Sequence, residues 1–148
     1  MVKREFSIVP ASVDHLREIL THLSEEDIAE CTLALGEHFR ERILGFYPEI
    51  QNMTALVSKS GITLSIGSVQ PNNVVWMLTS QYMMNLTKEE RRDVFHIMAA
   101  HLKSQLAIHG HLHNRVHENT VSHIKFLEAM GAEFGDKDEH GWIPFVLR

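Results

Sequence analysis

The chain has 148 residues with 14 Lys and Arg against 19 Asp and Glu, a formal net charge of −5, which suits one domain built on one core. That balance, with no basic stripe, excludes sequence-independent nucleic-acid binding as the main task. A lone cysteine, Cys31, excludes an internal disulfide and reads as a small buried apolar group.

"MVKREFSIVPAS" lacks the unbroken apolar core of a secretory signal, and no later apolar run approaches the roughly 20 residues that span a bilayer. The expectation is a protein of a reducing compartment, cytosolic or carried inside a particle, with no membrane partner.

"FSIV" predicts a first strand, and Pro10 and Ser12 mark the turn into a helix, "VDHLREILTHL", with Val13, Leu16, Ile19 and Leu20 at helical spacing. Ser24 caps a second helix, "EEDIAECTLAL". A further apolar face, Leu35, Phe39, Ile43 and Phe46, continues the helical pattern to "YPEI", with Gly36 as the candidate break. The period then changes. "TALVSKSGITLSIGSVQPNNVVWML" predicts three consecutive antiparallel strands, with Ile62, Leu64 and Ile66 alternating against polar neighbours. The third, "VVWMLTS", reads as a central strand covered on both faces.

"LTKEERRDVFHIMAAHLKSQLAIHG" predicts a long helix. Thr87 and Glu90 form a capping box, Phe95, Met98, Leu102 and Leu106 line one face, and Gly110 ends it. "HLHNRVH" alternates with period two, "TVSHIKFLEAMG" predicts a short helix closed by Gly131, and "AEF" with "WIPFVL" predicts a closing hairpin. No repeat, linker or low-complexity segment interrupts residues 1–148. The order predicts a mixed α/β layer arrangement with helices on both sheet faces.

"HGHLHNRVHEN" places four of the eleven histidines within residues 109–119. On a strand, His111, His113, Arg115 and His117 share one face, and His111 with His113 has the spacing of two metal ligands. The next residue on that face, Arg115, is a fixed cation that disfavours a divalent ion, so the expectation is no metal here and an imidazole-rich, partner-facing surface. Trp142 reads either as part of that surface or as packing of the last hairpin. Met83 and Met84 read as core filling or as the lining of an adaptable cavity.

"VVWMLTSQ", the helix from Thr87, "SHIKFLEAMGAEF" and the final hairpin, in this order, resemble the GNAT fold, the acyl-CoA N-acyltransferase architecture. More narrowly, nearly the full length resembles the internal virion protein A family of short-tailed bacteriophages, whose members are GNAT-like. "SHIKFLEAMGA" is the most specific stretch, with one inserted residue between Asn119 and Ser122. The resemblance implies a single GNAT-like domain and a mostly antiparallel sheet with helices on both faces; in cofactor-binding members of that fold strands four and five splay apart, here the Trp76 and His111 strands.

For acetyl-CoA, the resemblance implies a wall of strand backbone at Leu78, Thr79 and Ser80, and a second wall from Asn119, Ser122 and Phe126. The loop before the main helix in that fold is glycine-rich, letting backbone N–H groups approach a diphosphate. Here it is "SQYMMNLTKEE", without glycine, and Glu89 and Glu90 stand where the phosphate charge would sit. Each acidic residue there favours the helix by about 0.3–1 kcal/mol and opposes an anion with the same sign. Lys88, Arg91 and Arg92 offer flexible point charges only.

The resemblance puts Phe126, which has no proton to give, where a tyrosine general acid often stands. Tyr82 and Ser80 remain near the other wall, and His113, His117 and His123 are candidate general bases. The structural alternatives are a helix first turn for Ser122, core for Phe126 and a rim position for Tyr82.

The sequence thus predicts a phage internal virion or assembly-type protein, located in the host cytoplasm or virion interior. It would act by binding a protein partner, a virion component or a host protein, with no cofactor. The competing expectations are an acetyl-CoA-dependent N-acetyltransferase and a phage protein that binds and inhibits a host factor.

Overall fold

The computed structural model describes residues 5–148; the first four, part of the stretch read above for a secretory signal, lie outside them. One sheet contains β1 (Phe6–Pro10), β2 (Thr54–Ser58), β3 (Thr63–Gln70), β4 (Val74–Thr79), β5 (Leu112–His117), β6 (Glu133–Phe134) and β7 (Trp142–Leu147). Its order is β1-β2-β3-β4-β5-β7-β6, antiparallel except where β4 meets β5. The helices are α1 (Val13–Thr21), α2 (Glu25–Leu35), α3 (Phe39–Phe46), α4 (Lys88–His109) and α5 (Val121–Ala129).

Local chemistry sets the helix ends. The Ser24 hydroxyl accepts the N–H of Asp27 and starts α2, and Gly36, at φ +91°, stops it in a conformation that side chains resist. Leu16, Ile19 and Leu20 of α1 are buried against Ala55, Ile66 and Leu78 on one sheet face. On the opposite face Val94 of α4 packs with Phe6, Leu56 and Leu64, while Leu102, Leu106 and Leu127 cover Leu112, Val116, Phe145 and Leu147. Helices therefore cover both faces, as the element order predicts.

Several side chains depart from the sequence reading. Ile62 precedes β3 and is exposed, whereas Thr63 and Ser65 are buried beside Leu64 and Ile66. A register shift between Leu56 and Val57 breaks the alternation there, and the Glu18 carboxylate receives both the N–H and the hydroxyl of Thr63 at 2.7 and 2.9 Å. Along α4, Val94 is buried and Phe95 is exposed, because Val94 rather than Phe95 faces β1–β3. Gly36 separates Leu35 from α3, in which Phe39 is buried and Phe46 exposed.

Val74 to Met77 are half-buried rather than fully covered. The cause is the parting of β4 from β5: these parallel strands are paired only at Val74 and His113. Beyond that pair the Asn114 amide reaches across to the Val75 carbonyl at 2.7 Å, and the two strand ends diverge. Backbone groups lining such a gap need other partners, since unpaired buried N–H groups are rare in folded proteins.

Candidate functional site between β4 and β5

Those partners come from the first turns of α2. Asp27, 1% exposed, accepts the Thr79 N–H at 2.8 Å, the Thr79 hydroxyl at 2.6 Å and the Ser24 hydroxyl at 2.9 Å, all on Oδ2. Across the gap, Glu30 Oε2 accepts the His117 N–H at 3.0 Å and the Thr120 hydroxyl at 2.7 Å. Nearer the rim, Glu26 accepts the Ser122 N–H and hydroxyl at the start of α5. The chain just before α2 also pairs with the end of β4: the Ser24 N–H donates to the Thr79 carbonyl and the Gln81 N–H to the His22 carbonyl. Three carboxylates of one helix thus bridge the open end of the sheet.

The structure gathers most of the residues predicted to face acetyl-CoA around this bridge. Leu78 and Ser80 are buried, Thr79 is bound to Asp27, and Ser122 is bound to Glu26. The Asn119 N–H donates to His117 Nδ1 at 3.2 Å. Phe126 stands apart on the α4 side, edge-on to Phe95 at 5.8 Å. Asp27 and Glu30 were not singled out by the sequence reading. Their signal was weak, because acidic residues opening a capped helix are explained by the helix dipole alone.

The start of α4 is closed in the same manner. The Thr87 hydroxyl accepts the Glu90 N–H at 3.1 Å and Glu90 Oε1 accepts the Thr87 N–H at 3.0 Å. The predicted capping box is present. The residues here do not fit the diphosphate of a coenzyme A: the Thr87 and Glu90 N–H groups are engaged by the capping box, Glu89 and Glu90 add two carboxylates to the first turn, and no glycine opens the loop.

Among the candidate bases, His117 is buried, in contrast to the predicted surface position. Its Nε2 lies 2.9 Å from the His140 carbonyl, and Trp142, also buried, meets its ring edge-on at 5.1 Å. The β5–β7 pairing places Trp142 directly opposite His117, so of the two readings of Trp142, hairpin packing is the one realised. The Arg115 guanidinium lies 4.4 Å over the Trp142 ring. His111 and His113 do lie near the surface, stacked at 6.2 Å, and His113 Nε2 is 2.7 Å from the Asn72 carbonyl. His123 is different: its Nε2 is buried, 3.5 Å from Asp27 Oδ1, and has no hydrogen-bond partner among the described residues.

Burial pushes the Cys31 thiol up to about 12, with Asp27 and Glu30 adding to the effect, so it is a poor nucleophile near neutral pH. Between the sheet and α4 lies a cavity of about 200 Å³ lined by Leu56, Gly67, Met77, Met98, His101 and Phe126. It is smaller than the roughly 300–1,000 Å³ of ordinary small-molecule sites. Met83 packs beside Leu86 and Val94, and Met84 is 81% exposed, so neither lines it.

Comparison with solved structures identifies the architecture. The chain is similar to the PaiA N-acetyltransferase of Thermoplasma acidophilum in complex with coenzyme A, at a TM-score of 0.63 and 12% identity, covering 97% of this chain and 98% of that one. It is similar to a GNAT-family acetyltransferase from Bacillus anthracis at 0.64 and 10%, with coverages of 99% and 95%. It is also similar to the spermidine N-acetyltransferase of Vibrio cholerae in complex with CoA and spermine at 0.66 and 8%, with coverages of 98% and 96%. These likenesses show the GNAT fold. No curated protein matches the chain by sequence. A family model described as bacteriophage T7, probable scaffold protein Gp13, matches residues 52–140, which span β2 to the turn before β7. The protein, a phage protein with the GNAT fold, therefore belongs to that family.

Proposed function

We propose that the protein uses the GNAT fold without acyl transfer and acts in phage particle assembly by binding another protein, a virion component or a host factor. The observation that supports this most is the engagement of the Thr79 N–H by Asp27 and of the His117 N–H by Glu30. Strand backbone around Leu78 to Ser80 would have to be free for a bound acyl-CoA, and here a carboxylate of the same chain already holds it. The closed start of α4 supports the same reading. His111, Arg115 and Pro144 stay exposed on β5, β7 and the turn before β5, giving a polar surface with an aromatic neighbour for a protein contact. The locations that suit this role are the host cytoplasm and the virion interior.

The second reading is an acetyl-CoA-dependent N-acetyltransferase, favoured by the parting of β4 from β5 after one pair. In it, Leu78, Thr79, Ser80, Asn119, Ser122 and Phe126 line the cofactor. Calorimetric titration with acetyl-CoA separates the two. The expected result is no binding tighter than about 1 mM, and a dissociation constant near about 1 μM overturns the non-catalytic reading. For the assembly role, phage lacking the gene should form fewer complete particles; normal particle yield would remove that part of the proposal.

A further inference from the structure

We propose that Asp27, Glu30 and His123 form a binding site for one divalent transition-metal ion, best represented by Zn²⁺, which ties α2 to α5 across the gap between β4 and β5. One ligand atom from each residue lies within 4.8 Å of the others. Asp27 Oδ1 and His123 Nε2 are 3.5 Å apart. Two ligands bound tetrahedrally at ordinary Zn–N and Zn–O lengths are separated by about 3.4 Å, so that edge has the required length already. Glu30 needs to close by no more than about 1.5 Å.

Two further features point to a cation. His123 Nε2 is buried without a hydrogen-bond partner among the described residues, a state that folded proteins seldom leave unexplained. Each carboxylate is anchored through one oxygen: the donors to Asp27 fall on Oδ2 and those to Glu30 on Oε2. The second oxygen of each is left over while the first is fixed, as outer-shell hydrogen bonds fix metal-binding carboxylates. No Lys or Arg forms an ion pair with Asp27 or Glu30 among the described residues, so two neighbouring carboxylates face His123 as their cationic option. One imidazole and two carboxylates suit Zn²⁺ and its neighbours, and three protein ligands leave a fourth position for water.

The site is distinct from the His111 and His113 pair on which the sequence reading weighed a metal. It also stands apart from the partner-binding proposal, because a metal-tied gap is compatible with either outcome of the acetyl-CoA titration.

The test is calorimetric titration of Zn²⁺ into the full chain carrying His111→Ala and His113→Ala, which removes competition from the strand histidines. The expected result is one equivalent bound with a dissociation constant below about 10 μM. Binding should weaken at least about tenfold in His123→Gln and in Glu30→Gln, each checked for folding by circular dichroism. If those variants do not fold, Co²⁺ is added to the chain with the three ligands intact. A visible d–d spectrum of four- or five-coordinate cobalt, with no thiolate charge-transfer band, supports the site. Absence of Zn²⁺ uptake at that concentration, absence of the cobalt spectrum, or uptake unchanged in folded His123→Gln overturns it.

Discussion

Asp27 accepts the backbone N–H of Thr79 at 2.8 Å and its hydroxyl at 2.6 Å, so a carboxylate 52 residues upstream completes the end of β4. Asp27→Ala leaves that N–H and the Ser24 hydroxyl without an acceptor in a buried place. The expected loss is about 2–4 kcal/mol in urea denaturation, because an orphaned buried donor costs its full desolvation. A loss under about 0.5 kcal/mol, the range of ordinary surface substitutions, would contradict the bridging role.

Thr87→Ala removes one half of the capping box at the start of α4. The chain should lose about 1 kcal/mol, measured by chemical denaturation, with Thr87→Ser close to unchanged. Freed of the hydroxyl, the Glu90 N–H still lies in a first turn that carries Glu89 and Glu90, so the variant should not gain affinity for acetyl-CoA.

His101 lies against the cavity beneath α4, and burial lowers its pKa from the ordinary 6.5. The unfolded chain then binds the proton more readily than the folded one. The contribution of His101 to stability is complete above pH 6.5 and falls as pH drops through 6.5 toward the lowered folded value. Denaturation midpoints across this window should decline less steeply in His101→Leu than in the parent, and identical slopes would refute the assignment.

Gly141 has φ +89°, and a Cβ added there would lie 2.8 Å from His117 Nε2. Gly141→Ala combines a left-handed backbone strain with a collision against the ring that packs on Trp142. The expected cost is about 1–3 kcal/mol, with a shift in Trp142 fluorescence reporting displacement of His117. Gly61→Ala shares the positive φ with open space around it and should cost less.

Much of the fold was legible because its signals are local. Ser12, Ser24 and Thr87 cap their helices through residues three positions away, and Gly36 and Gly131 stop helices through their own φ. The histidine strand was placed correctly, yet the fate of His117 was not, since alternation assigns a face and says nothing of what covers it. Trp142 and the Gly141 turn cover it, and they arrive through the β7 pairing.

The sequence by itself determined the order of elements, the internally closed start of α4 and the family resemblance, all of which depend on residues within a few positions of one another. Only the tertiary structure decided that Asp27 and Glu30 face the gap between β4 and β5 and that His123 joins them there. The physical reason is range: a cap is a contact within one turn, whereas a carboxylate reaching a strand end or an imidazole some 90 residues away depends on how the sheet parts and which helix crosses the opening.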